Sequence, residues 1–146
     1  MHFLGDDPVN TSKLSAHSGK VLSLLRIVSG LMFMQHGTQK IFSFPAEAMG
    51  PFNIASQMGI GGVLELVGGA LIVLGLFTRP VAFILSGMMA VAYFQMHWAF
   101  GAASPFPLVN KGELAALYCW VFFYFVFAGP GEWALDNLIG KKRRRY

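Results

Sequence analysis

Apolar residues gather in four long runs, 21–44, 59–77, 80–100 and 112–129, parted by short segments holding proline, glycine and small polar residues. A helix needs about 20 residues to cross a hydrocarbon layer, and each run has about that length. The first is apolar only from Val21 to Met34. Its helix must therefore continue through Gln35-His36-Gly37-Thr38-Gln39-Lys40 to Phe44, where Pro45 ends it. The second run is rich in glycine. Gly61, Gly68 and Gly75 recur every seven residues and are expected on one face, with Gly69 beside them, where small residues let helices approach closely. Glu65 lies four residues after Gly61 and three before Gly68, which puts it on that packing face. Thr78-Arg79-Pro80 reads as a tight turn, with Pro80 in the first turn of the third helix. Gly129-Pro130-Gly131 breaks the fourth.

The few polar residues in or at the ends of these runs are Arg26, His36, Gln39, Lys40, Glu65, His97 and Glu113. Ionisable groups inside membrane spans are costly and mark a functional site or a buried pair. The composition supports the membrane reading. Only 12% of the 146 residues are charged against 55% hydrophobic. Soluble domains carry about 25% charged residues, so this chain has too little charge to coat a water-soluble fold. The expected fold is all-α, an integral membrane four-helix bundle. Residues 1–20 form an N-terminal tail, 21–129 the transmembrane domain and 130–146 an amphipathic, basic C-terminal tail. Lys13 and Lys20 before an apolar run, with Ala46-Glu47-Ala48 beyond, imitate a secretory signal. Arg26 within the run opposes cleavage, and the first span is expected to be retained.

Charge then sets orientation. Lys13, Lys20, Arg79 and the run Lys141, Lys142, Arg143, Arg144, Arg145 fall on one side of a four-span chain, and Lys40 and Lys111 on the other. Positive residues favour the cytoplasm, so both termini are predicted cytoplasmic. Arg79 and the C-terminal run are expected to fix topology and meet anionic lipid rather than nucleic acid. In this orientation spans one and three end outside, and spans two and four begin there. Glu65 lies about 9 Å in from Gly59 at 1.5 Å per residue. His36, Gln39, Lys40, Glu65, His97 and Glu113 therefore reach the same outer third, and a shared polar pocket is expected.

The chemistry open to such a pocket is bounded by what the chain lacks. Cys119 is the single cysteine, so there is no internal disulfide, no CxxC pair and no cysteine set for an iron–sulfur cluster. Its apolar neighbours suit an inert buried thiol. His36, His97, Glu65 and Glu113 would make a zinc or iron set only if all four converged, and no HExxH-type spacing supports it; no metal is expected. A ligand head group would find donors in His36 and His97, proton carriers in Glu65 and Glu113, a cation in Lys40 and apolar walls in Phe94, Trp98 and Trp120. The same residues also suit a structural role, with Lys40 paired to Glu65 or to Glu113 and the histidines bonded to neighbouring helices. Glu113 in a first helical turn also suits the helix dipole.

Taken in order, these residues resemble the DoxX family of small membrane proteins. The resemblance covers about residues 21–138. It rests on Leu25-Arg26, His36-Gly37-Thr38-Gln39-Lys40, Glu65 followed by Gly68-Gly69, Leu76-Phe77-Thr78-Arg79, His97, Lys111-Gly112-Glu113-Leu114, and Gly129-Pro130-Gly131 with Leu135-Asp136. It implies a four-helix membrane fold in a bacterial inner membrane. It also implies an association with quinone-linked oxidoreductase subunits and redox maturation systems. The expected function is an accessory membrane subunit of such a complex, with a quinone-facing pocket and no covalently bound cofactor. The alternatives are a non-catalytic structural or assembly subunit and a small transporter. Membrane lipids and other membrane subunits are the expected partners, with a homo-oligomer left open.

Overall fold

A computed structural model describes residues 14–48 and 50–143, and among them all regular structure is helical. Helix α1 is Ser18–Phe42, α2 Gln57–Leu74 and α3 Thr78–Ala92. A π-helical stretch, Tyr93–Ala102, continues α3. The short α4 (Pro107–Asn110), α5 (Glu113–Ala128) and α6 (Leu135–Arg143) follow. Two stretches are long and apolar enough to cross a membrane by length and composition, Gln57–Leu74 and Thr78–Gly101. Helix α1 has 25 residues but carries Ser23, Arg26, Ser29, His36, Gln39 and Lys40. Helix α5 is apolar or aromatic after Glu113, and its 16 residues extend about 24 Å at 1.5 Å each.

Local chemistry explains the helix ends. Ser56 caps α2, its hydroxyl accepting from the Gly59 N–H at 3.0 Å. Gly75 closes the same helix at φ 66°, a left-handed conformation that glycine adopts without strain. Helix α1 ends two residues before the expected Phe44, with Ser43 in the left-handed conformation donating to Gln39 O.

The helices pack as two close pairs, α1 on α2 and α3 on α5, joined along α2 and α3. A glycine seam brings α1 and α2 together. A Cβ on Gly37 would stand 2.5 Å from Leu66 N and 2.8 Å from Gly62 O, and one on Gly69 would meet Gly30 O at 3.1 Å. The seam therefore uses Gly30 and Gly37 on one helix and Gly62 and Gly69 on the other, each pair seven residues apart. This corrects part of the sequence expectation. Gly61 faces open space, Gly68 packs on Leu85 of α3, and Gly75 is a helix cap packed against Ala134 and Arg26. The expected 61–68–75 register is one residue out at its start, because Gly62 and not Gly61 lies under Lys40.

Phe33, Ile72, Leu85, Met89, Tyr118, Phe122 and Phe125 form the apolar core. The ring of Phe33 lies 5.0 Å from that of Tyr118 and 4.8 Å from that of Phe122. Around this core the usual distribution of polarity is inverted. Arg26, Ser23, Thr78 and Glu65 are buried, while Val28, Val67, Phe83, Leu117 and Phe127 are exposed. Water would penalise such a continuous apolar exterior, and lipid chains would not.

Candidate functional site

One end of the bundle is organised by Arg26, the largest fully buried side chain among the described residues. Its guanidinium donates to Pro130 O at 2.8 Å and Val73 O at 2.6 Å, and also to Ile72 O and Trp133 O. Two of these carbonyls belong to the last turn of α2, where the dipole favours a cation. The other two lie beyond α5. One planar fork thus ties α1, α2 and the chain after Gly129 together. The tail is held there by further bonds. Trp133 N donates to Ser23 Oγ at 3.0 Å, and Asp136 accepts from Phe77 N at 2.8 Å and Thr78 N at 2.9 Å. Arg79, expected at the lipid headgroups, is exposed but donates to the terminal carbonyls of α5, Val126 O and Phe127 O. Lys141, Lys142 and Arg143 belong to α6, while Arg144 and Arg145 lie outside the described residues.

At the other end, α1 and α2 deliver an ion pair. Lys40 Nζ lies 2.5 Å from Glu65 Oε1, with the lysine side chain 26% exposed and the glutamate 5%. Gly62 makes this possible, because its missing side chain leaves room for the Lys40 stem; a Cβ there would stand 3.0 Å from Lys40 Cβ. The second carboxylate oxygen, Glu65 Oε2, is buried and has no hydrogen-bond partner. Tyr118 of α5 projects its hydroxyl into the same interior, also buried and without a partner, and within electrostatic reach of Glu65. His36 packs edge-on against the Tyr118 ring at 6.4 Å. Buried polar atoms are normally satisfied. A half-satisfied ion pair with one orphan hydroxyl near it therefore sets this cluster apart from ordinary packing.

A cavity of about 420 Å³ adjoins it, lined by Gln39, Lys40, Phe52, Asn53, Ser56 and Met58 among others. The segment between α1 and α2 forms its roof, held by Gln39 Nε2 donating to Glu47 O at 3.1 Å. The Asn53 carboxamide oxygen accepts from Ala55 N at 2.9 Å, which leaves the amide end as a donor. Lys40 therefore belongs to both places: its ammonium touches the buried carboxylate, and its side chain borders the cavity.

Of the six residues expected in one pocket, the structure brings His36, Lys40 and Glu65 together, with Gln39 at the cavity wall. His97 and Glu113 lie elsewhere. His97 Nδ1 is 3.2 Å from Asn110 O, in a network where Asn110 also reaches Ser104 O and Tyr93 Oη. Glu113 is exposed at the first turn of α5. Among the described residues no three His, Cys, Asp or Glu side chains gather as a metal site. The expected walls also differ. Phe94, Trp98 and Trp120 are exposed on outer faces, and the cavity takes its apolar wall from Phe52 and Met58. Cys119 is half-buried beside Ser86, whose hydroxyl donates to the Cys119 carbonyl at 2.9 Å. Tyr118 escaped sequence reasoning because an apolar run gives a lone tyrosine no distinguishing spacing. Its i, i+4 relation to Phe122 was the available sign that it faces inward.

Comparison with known proteins places the chain in a family. The DoxX family model matches residues 21–98. An uncharacterized protein of Haemophilus influenzae is 49% identical over 123 residues, covering 83% of this chain and 92% of that protein. An uncharacterized membrane protein of Mycobacterium tuberculosis is 28% identical over 140 residues, covering 81% of this chain and 80% of the other. No solved structure matches the chain.

Proposed function

We propose that this chain, which belongs to the DoxX family of membrane proteins, is an accessory subunit of a membrane redox or maturation complex that receives a quinone head group in the cavity beside Lys40. In this reading α1, α2, α3 with its π-helical continuation, and α5 all cross a bacterial inner membrane. Both termini are cytoplasmic, and the cavity faces the outer side. The observation that carries the reading is the double role of Lys40, which borders the cavity and pairs with a buried carboxylate.

The residues fit such a ligand. A cavity of about 420 Å³ falls within the roughly 300–1,000 Å³ usual for small-molecule sites. Phe52 and Met58 offer an apolar wall, and Lys40 and the Asn53 amide offer donors. When bound, a quinone supplies two-electron, two-proton chemistry. The chain's own part is to orient the ring oxygens at Lys40 and to keep Glu65 and Tyr118 behind it as buried groups able to hold a proton.

Purification of the tagged chain from its native host in mild detergent, with mass spectrometry of bound proteins and extracted lipids, tests this. Stoichiometric quinone and a cofactor-bearing partner are expected, with quinone lost and the partner kept in Lys40→Met. A chain recovered alone and without quinone would overturn the reading.

One observation favours a second reading. The Lys40–Glu65 pair spans the glycine seam between α1 and α2, which suits a clamp on helix register in a purely structural subunit. A partner complex that retains full activity with Glu65→Gln would select it.

A further inference from the structure

The cavity and the buried carboxylate compete for one cation. Among the described residues lining the cavity, Lys40 is the only one with a formal charge, and none of them is a carboxylate. The cavity thus presents one ammonium and amide groups beside Phe52 and Met58, a surface suited to an anion with an apolar body. Behind Lys40, Glu65 is 4% exposed, and Lys40 is the single hydrogen-bond partner of its carboxylate among the described residues.

We infer that the cavity binds an organic anion at Lys40 and that this binding is coupled to uptake of a proton by Glu65. One partly exposed ammonium compensates two negative charges poorly, and like charges brought together favour protonation of one of them. A buried carboxylate deprived of its counter-ion is expensive. Glu65 is the more buried of the two anions, so it takes the proton. The step balances without redox change. The ammonium turns from Glu65 Oε1 to the incoming anion, one proton enters from the aqueous side through the cavity, and a neutral carboxylic acid forms at Glu65. One anion and one proton are bound, and no electron moves.

The surroundings of Glu65 suit the neutral form. From α1 the titratable neighbours are Lys40 and, behind it, His36; from α5 it is Tyr118. Helix α3 turns Ala82, Leu85, Ser86 and Met89 inward, none of which titrates in the ordinary range. The Tyr118 hydroxyl, buried and without a hydrogen-bond partner, lies within electrostatic reach of Glu65. The inference rests on the cavity and the ion pair and does not need the redox assignment.

Benzoate, a carboxylate on an apolar ring, is the probe. Calorimetric titration of the full chain in detergent, in buffers of different ionisation enthalpy, counts the protons bound. The expected result is about one proton per benzoate by linkage, together with a new carboxylic acid C=O band in infrared difference spectra. Glu65→Gln should bind benzoate with no proton uptake and no band, and Lys40→Met should not bind it. Benzoate binding by the unaltered chain without proton uptake would overturn the coupling, and no binding would overturn the anion site. Failure to recover quinone would leave both results standing, which separates this inference from the redox reading.

Discussion

Asp136 caps a helix that starts 58 residues before it: its Oδ2 accepts the Thr78 N–H at 2.9 Å, while Oδ1 accepts from Phe77 N at 2.8 Å. The α3 N-terminus has no local side-chain cap, since Phe77 sits at the capping position. Its free N–H groups and positive dipole end are instead met by a carboxylate from the far end of the chain. Asp136→Ala should lower stability by about 0.5–2 kcal/mol, the usual effect of losing a cap. Thermal unfolding in detergent checks this, with Asp136→Asn expected to retain part of the loss.

Arg26 should tolerate no replacement. Arg26→Leu leaves the Val73, Pro130 and Trp133 carbonyls without this donor, while Ile72 O keeps the Gly75 N–H, and each buried orphan costs about 1–3 kcal/mol. Arg26→Lys should rescue poorly, because a point-charge ammonium cannot span carbonyls from both the end of α2 and the chain after Gly129 as a planar fork does. Both variants should show reduced folded yield and early unfolding of the segment after Gly129, read by limited proteolysis. Wild-type protection in Arg26→Lys would contradict the fork.

Two glycines in α2 and α1 separate the observed seam from the register expected from sequence. Gly37→Ala would force a methyl against Leu66 N and Gly62 O, an overpacking cost of about 1–3 kcal/mol. Gly61→Ala meets nothing within 4 Å and should be neutral or stabilising by about 0.5–1 kcal/mol through helix propensity. Comparing the two melting temperatures decides it.

Removing Lys40 strands a buried carboxylate. Lys40→Met should destabilise by about 3 kcal/mol, near the low end for a broken buried pair because the lysine is partly exposed. The double variant Lys40→Met/Glu65→Gln should recover most of that loss. A double-mutant cycle with no coupling between the two positions would refute the pair.

Tyr118 offers the opposite sign. Its hydroxyl is buried with no partner, so Tyr118→Phe should leave stability unchanged or raise it by about 1 kcal/mol. A clear loss would mean that the hydroxyl has a stabilising partner such as a buried water.

Much of the architecture was legible in the pattern of polarity. The four apolar runs correspond to α1, α2, α3 with its π-helical continuation, and α5, since burial against lipid or protein demands such runs wherever the backbone must satisfy itself. The inward placement of Glu65 followed from its spacing to the glycines. The π-helical turn at Tyr93–Ala102 was not legible, because its residues read as an ordinary continuation of α3. Nor was the importance of Arg26. A lone arginine in an apolar run announces a buried cation, but its partners here are backbone carbonyls, which carry no side-chain signature.

By itself the sequence determined the all-helical class, the membrane character and the set of polar residues that cannot face lipid, because those follow from composition and period alone. Only the tertiary structure decided which of them meet. It paired Lys40 with Glu65 rather than Glu113, drew Tyr118 in beside them, left His97 to the Asn110 network, and folded the chain after Gly129 back onto Arg26. Those choices depend on helix rotation and close approach. A rotation of one residue, about 100° on a helix, separates Gly61 in open space from Gly62 beneath Lys40.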